Sequence, residues 1–358
     1  MGDYASFAEV VASLPQAGGM AGVPLDAFRV VEDAGRFVEP MMNAYEIADA
    51  PQATFISARG ATGKSAMAAE LSRRLGAPLW SLGQDKAVSG DALTARLSVF
   101  LGVVDPLVEA GNGQVPLLII DAMDEARLRV TGVSWDDFMA SLAQYADAGV
   151  HVVILGRKRT IEDVWYSLAD AVASISWYEI SHFNESQQSE HVELRSLGGA
   201  SAPSEAYVAA KSAVLAQLNG TTDSVLDEAF AGYAPVLDAV AALLTPGVNY
   251  QAVINDFQSQ TIAGTRLKIL RRILEALLHR EQSKIEPLAQ DLGVSHGDAY
   301  TAQEQLEWLA AELLGGSPPT LAWCPEPKRG EYADRIVQFL LDHPFRESQA
   351  WASPVFSS

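Results

Sequence analysis

The sequence predicts an α/β protein: a parallel sheet flanked by helices comes first, and a mainly helical remainder follows. Three observations lead there. A glycine-containing octapeptide, residues 58–65, separates a short apolar run at 53–56 from a helical pattern at 66–75. Two further apolar runs, 115–120 and 151–155, end at Asp121 and at Gly156 and Arg157. Around these runs, strand-like and helix-like segments alternate across residues 51–180, as in a sheet with helices on both faces.

The octapeptide is Ala58, Arg59, Gly60, Ala61, Thr62, Gly63, Lys64 and Ser65. Strand, tight loop and helix in that order form a phosphate-binding loop, with Ala58 where the pattern has glycine. Successive backbone N–H groups from Arg59 to Ser65 wrap a phosphate chain, and the helix N-terminus adds a positive dipole. Gly60 and Gly63 permit backbone angles and close approach that a side chain would block. Lys64 is expected to reach the β- and γ-phosphates and Ser65 to hold Mg2+. ATP or ADP with Mg2+ is therefore the expected ligand set.

Composition sets limits on partners and compartment. The chain has 358 residues, enough for two or three domains. Its formal net charge is −20, which argues against wrapping duplex nucleic acid over the whole surface, although a local basic face is compatible with it. Cys324 is the single cysteine, so no internal disulfide forms, and a reducing cytoplasmic setting fits. The amino terminus lacks a basic region followed by an apolar core, and no run of 18 apolar residues predicts a spanning helix, so no membrane partner is expected.

In chain order, residues 1–50 read as a mixed lead-in. A helix is expected over 5–14, a loop at Gly18, Gly19 and Gly22 to Pro24, and an approach to the first strand over 28–47. Residues 51–182 form the sheet domain. The loop helix closes at Gly76, a second strand covers 78–82, and Asp91 caps a helix running to about Leu101. Ser134 caps a helix over 135–146, a helix follows over 161–172, and a last strand over 175–180. Residues 183–262 read as an Ala-rich helical domain with helices at 185–197, 204–218 and 225–244, the last interrupted near Pro235. Residues 263–316 carry three more helical patterns, 267–280, 285–292 and 297–314. The turn from Leu292 to Ser295 resembles that of a helix-turn-helix. Residues 317–358 include an amphipathic helix over 332–341 and end at 352–356 in what reads as an interrupted segment, so a further domain is expected to start there.

A nucleotide site also needs an acid at the end of a neighbouring strand. Residues 117–120 lead into Asp121, placed to hold Mg2+ beside Ser65. Asp124 and Glu125 follow at the rim, where one can polarise an attacking water; the alternative is that they cap the next helix. Arg157, directly after the strand 151–155, can face a γ-phosphate, or it is a surface member of the basic cluster Arg157, Lys158 and Arg159.

These motifs together resemble the signal-transducing NTPases with numerous domains, the STAND class, and within it the NACHT-like branch related to the AAA+ proteins. The strand followed by Asp121, Ala122, Met123, Asp124 and Glu125 is similar to that branch's extended acidic motif, with Ala122 where glycine is usual. Gly156 and Arg157 resemble its sensor-arginine strand, although Thr or Ser usually precedes the arginine. Residues 178–187 resemble the exit from the sheet into the helical domain. The likeness spans roughly residues 50–310.

The resemblance implies a P-loop NTPase that hydrolyses ATP slowly, forms a homo-oligomer when ATP is bound and signals, in a bacterium as antiphage defence. It implies a helical-domain proline against the base, for which Pro235 after Gly232, Tyr233 and Ala234 is the candidate; a plain helix kink fits Pro235 equally. It implies a winged-helix domain, matched to 265–314, with a nucleotide-facing histidine for which His279 and His296 are candidates without a matching motif. The class usually carries an effector domain before the NTPase and a sensor array after it; only about 50 residues precede the loop and the chain after residue 315 is short, so either the sequence is truncated or a separate effector or sensor protein is the expected partner. The alternative is an AAA-type ATPase linked to nucleic acid through the winged helix. Arg266, Lys268, Arg271, Arg272, Arg280 and Lys284 favour it, and the acidic helix near 298–312 opposes it. A small-molecule kinase would explain the loop but not Asp124 and Glu125.

Overall fold

The computed structural model describes residues 3–17, 28–33, 36–84, 88, 90–169, 172–199, 202–219, 231–258, 274–275, 277–295, 297–341, 343–347 and 350–351. The chain divides into two compact units, Met1–Ser181 with Asp334–Asp342, and His182–Ala333 with His343–Ser358.

The first unit is built on an eight-stranded sheet. Its strands are β1 (Asp3–Ser6), β2 (Phe28–Arg29), β3 (Met41–Glu46), β4 (Ala53–Ser57), β5 (Leu79–Ser81), β6 (Leu117–Asp121), β7 (His151–Gly156) and β8 (Ile175–Ile180). The spatial order is β1-β3-β8-β4-β7-β6-β5-β2. The middle strands β8, β4, β7, β6 and β5 run parallel. At the two edges β3 and β1 on one side, and β2 on the other, pair antiparallel. The lead-in expected before the first strand therefore supplies three strands of its own. One expected neighbour also differs: β7 lies between β4, which leads into the phosphate loop, and β6, which carries Asp121.

The middle of the sheet follows from its residues. Every residue of β4, β6 and β7 is buried, as continuous apolar runs require when both faces are covered. Side chains alternate between two cores. Phe55, Leu118, Ile120, Val152 and Ile154 join one, and Ile56, Leu117, Ile119, Val153 and Leu155 join the other. The first core is covered by α3 (Ala92–Leu101), α4 (Pro106–Gly111), α5 (Met123–Arg129), α6 (Gly132–Asp147) and α7 (Lys158–Leu168), the second by α1 (Phe7–Ser13) and α2 (Lys64–Leu75).

Several boundaries differ from expectation for local reasons. Helix α6 starts at Gly132 and is capped by Thr131, whose hydroxyl accepts from the Ser134 amide; Ser134 is the recipient of the cap and not the cap. Asp91 occupies the N-cap position of α3 without a side-chain cap bond. Helix α7 begins directly after Arg157 and ends at Leu168, one turn short of the expected 172.

The second unit opens with α8 (Glu185–Leu197), whose Asn184 and Gln187 form a capping box, followed by α9 (Glu205–Asn219), α10 (Ala234–Leu243) and α11 (Tyr250–Gln258). Gly232 allows Phe183 to approach, since a Cβ there would lie 2.4 Å from the Phe183 carbonyl oxygen. Further on come α12 (Glu286–Asp291), α13 (Ala302–Leu314), α14 (Glu326–Leu340) and the antiparallel pair β9 (Arg346–Glu347) and β10 (Ala350–Trp351). Helix α13 starts at Ala302 instead of 297, because Tyr300 takes a left-handed φ of 51° and Thr301 caps it. Buried Glu304 accepts from the Tyr332 hydroxyl at 2.7 Å and the Trp308 indole at 3.2 Å. Helix α14 is longer than expected, and its C-terminal part, from Asp334 on, belongs to the first unit. The pattern at 267–273, the basic residues Arg266, Lys268, Arg271 and Arg272, the loop at 18–27, the stretch 220–230 and the terminal 352–358 lie outside the described residues.

Candidate functional site

The site starts where β4 ends. The chain leaves the sheet at Ser57 and turns through Ala58 to Gly63 into α2. Ala61 has φ 65° and Gly63 φ 95°, two left-handed residues that fold the loop onto itself. Gly63 is the N-cap of α2 and makes no side-chain bond there, so the first-turn amides of Lys64 and Ser65 are set by the backbone alone. The Thr62 hydroxyl donates to the Arg59 carbonyl at 2.8 Å. Lys64 Nζ donates to the carbonyls of Ala58 at 3.1 Å and Arg59 at 2.9 Å, so its ammonium lies across the loop mouth. The loop is fastened to β7 by the Ala58 amide, which donates to the Gly156 carbonyl at 3.2 Å. Gly60 is buried, Arg59, Thr62 and Lys64 are half-buried, and Ser65 is exposed.

Asp121, the last residue of β6, is 3% exposed. Burial pushes its carboxyl above the usual range; the Ser65 hydroxyl and the Lys64 ammonium draw it back down, while Asp124 raises it again. Its Oδ1 atom is buried and has no hydrogen-bond partner. A buried, unpartnered carboxylate oxygen beside a serine hydroxyl fits a divalent cation that keeps most of its other ligands from phosphate and water.

The two acids at the rim diverge. Ala122 takes φ 64° and serves as N-cap of α5, with Asp124 and Glu125 in the first turn and no side-chain cap bond. Asp124 turns toward β7. Its Oδ2 sits 2.9 Å from Arg157 Nε, and both side chains are nearly fully buried. Glu125 turns toward the 3-10 turn Leu82–Gln84 at the end of β5, where a Cβ on Gly83 would come within 2.3 Å of Glu125 Oε2. Arg129 fastens that turn to α5, donating to the carbonyls of Leu82, Gly83 and Glu125.

Arg157 is the N-cap of α7 and is 1% exposed, not a member of a surface cluster. Its guanidinium lies over the Phe339 ring, 5.1 Å from the centroid. Gly156 stands where Thr or Ser is usual in the family it resembles. A Cβ there would meet Ile161 at 3.2 Å and Met123 at 3.4 Å, so α5 and α7 close on this position.

The structure thus gathers Lys64, Ser65, Asp121, Asp124 and Arg157 at one end of the sheet, with Glu125 at its side. Pro235 lies in the second unit. It occupies the first turn of α10, where its missing N–H costs nothing, and does not kink a longer described helix. His279 is exposed and His296 lies outside the described residues. Phe339 was not legible as a site residue. Its helix pattern was visible, but nothing local announces that the C-terminal end of that helix joins the sheet unit.

Sheet, loop and flanking helices make this an α/β P-loop fold. No family model and no curated protein matches the sequence. Among solved structures, the chain is similar to the Walker-type ATPase of Pyrococcus abyssi, at 11% identity over 86% of this chain and 90% of that one, with a TM-score of 0.47. It is also similar to a RuvB variant of Thermotoga maritima, at 13% identity over 74% and 88% with a TM-score of 0.34, and to a DNA replication initiation factor, at 11% identity over 81% and 86% with a TM-score of 0.29. At such values the likeness carries no argument, and the site's chemistry is argued from the chain's own residues. Among the described residues, no helix is long and apolar enough to cross a membrane.

Proposed function

We propose that the chain binds ATP with Mg2+, hydrolyses it slowly and acts as a nucleotide-operated switch of the STAND and NACHT-like kind. The observation that carries this reading is Asp121 Oδ1, buried without a partner, beside Ser65 and Lys64 at the mouth of the glycine loop. Backbone amides from Arg59 to Ser65 bind the phosphates and Lys64 moves from the loop carbonyls onto them. Ser65 and Asp121 hold the metal, which when bound offsets phosphate charge and fixes the oxygens. Asp124 or Glu125, at the rim, polarises the attacking water. Pro235 against the base, assembly with further copies of the chain, or with a separate effector or sensor, and a role in bacterial antiphage signalling from the cytoplasm complete the proposal; the motif resemblance supports them.

The test is to measure ATP affinity and assembly state of the wild type and Lys64→Ala. Loss of binding in the variant, together with nucleotide-dependent assembly of the wild type, is expected. Undiminished ATP affinity in Lys64→Ala rejects the reading.

One observation favours a second reading, an AAA-type ATPase linked to nucleic acid. Helix α12, the turn through Leu292 to Ser295 and α13 follow one another in the order of a helix-turn-helix, which supports a winged-helix-like reading of residues 263–316. The exposed face of α13 bears Glu307 and Glu312, which oppose a phosphate backbone. A salt-dependent mobility shift with duplex DNA would favour this alternative.

A further inference from the structure

We infer that Phe339 is a positioning residue for Arg157, so that the nucleotide site includes a wall supplied by residues 334–340. The inference rests on the P-loop reading proposed above.

Two side chains constrain the guanidinium from different directions. Asp124 Oδ2 lies 2.9 Å from Nε as a buried ion pair and holds the charged end toward α5. The Phe339 ring covers the face at 5.1 Å and fixes the plane. A planar, delocalised cation is held by such a pair of contacts in a way that a lysine ammonium is not. The ring also excludes water from Arg157, which is 1% exposed, and so strengthens its attraction to Asp124.

The wall is anchored independently of the ring. Arg335 Nη1, one turn earlier on α14, donates at 2.7 Å to the carbonyl of Leu128 near the end of α5. Ile336 and Leu340 beside Phe339 are fully buried. Helix α5 is the helix that carries Asp124. One helix therefore supplies the carboxylate, and the segment bonded to that helix supplies the ring. Arg157 itself follows Gly156, whose carbonyl receives the phosphate-loop amide of Ala58. A shift of residues 334–340 reaches the loop through two contacts.

The full chain is used for the test, with turnover by phosphate release and Mg-ATP affinity measured separately for the wild type, Phe339→Ala, Phe339→Leu and Phe339→Tyr. The same set is repeated in an Arg157→Ala background. Phe339→Ala and Phe339→Leu are expected to lower kcat by roughly three- to thirty-fold while Mg-ATP affinity changes less than about two-fold, and Phe339→Tyr to restore turnover. In the Arg157→Ala background the Phe339 substitutions are expected to have no further effect. Wild-type turnover in Phe339→Leu, or an undiminished loss from Phe339→Ala without Arg157, overturns the inference while leaving the P-loop reading intact. Failure of the wild type to bind Mg-ATP at all removes the P-loop reading and this one with it.

Discussion

The Ser65 hydroxyl draws the carboxyl of Asp121 down, although the strand carrying Asp121 is not the neighbour of the strand that leads to Ser65. Strand β7 runs between them. The tips of β4, β7 and β6 hold the loop, the arginine and the acid side by side, and the first turn of α2 spans the gap. The intervening strand is what gives Arg157 its place between the phosphate loop and the acidic rim.

Asp121 is costly to the fold, because Ser65 and Lys64 offset only part of the cost of its burial. Its carboxyl is raised, so the group disfavours the folded state increasingly as pH rises past the usual carboxylate range. Asp121→Asn is expected to raise thermal stability at neutral pH, on the order of 1 kcal/mol, and to abolish the Mg2+ dependence of nucleotide affinity. Calorimetry and Mg2+ titration check the two parts. A lower melting temperature together with retained Mg2+ dependence would contradict both.

Asp124 and Glu125 are adjacent in sequence and should separate in experiment. Removing the negative charge of Asp124 deprives a buried guanidinium of that partner, and Asp124→Asn is expected to cost about 3 kcal/mol of stability. Glu125→Gln is expected to change stability by less than about 1 kcal/mol and to slow phosphate release by about a hundred-fold or more. Denaturant unfolding and single-turnover assays distinguish the outcomes. Equal stability losses would show that the two acids do not divide their tasks.

Ala122 holds a left-handed φ of 64° at the N-cap of α5. Ala122→Gly relieves that conformation and is expected to stabilise the fold by about 1 kcal/mol, whereas β-branched Ala122→Val is expected to destabilise it. Thermal unfolding of the pair checks the sign.

His151 opens β7 in the buried sheet, 3.0 Å from the Thr54 hydroxyl, and burial pushes its pKa down to about 4. The folded state keeps the ring neutral while the unfolded chain takes up a proton near pH 6.5. Stability is therefore unaffected by this group above pH 6.5 and falls as pH drops from there toward 4, by up to about 3 kcal/mol. Chemical unfolding of wild type and His151→Gln across pH 4–7 checks this, with a shallower acid-side decline expected in the variant.

The parts legible in the sequence were those whose signal is local. The runs ending at Asp121 and Arg157 are uninterrupted and apolar because both faces of β6 and β7 are covered, and the loop carries its own glycine and lysine spacing. Strands β1 and β3 were not legible. Residues 41–46 pair with β8 across a long separation, and neither their composition nor their burial alternates cleanly. The cap of α6 was misplaced because Thr131 and Ser134 are both hydroxyl residues before one apolar helix, and only the bond between them tells donor from acceptor. The ion pair of Asp124 with Arg157, and the ring above it, depend on which strands and helices meet, which no short pattern encodes.

Because residues 334–342 belong to the unit that holds the phosphate loop, that unit cannot be completed in order of synthesis. At about 5–20 residues per second, the stretch after Ser181 takes a ribosome roughly ten to thirty seconds to translate before Phe339 exists. During that interval the nascent sheet carries Lys64, Asp121 and Arg157 without the segment that covers the arginine. A fragment cut after residue 182 would hold the molecule permanently at this unfinished stage.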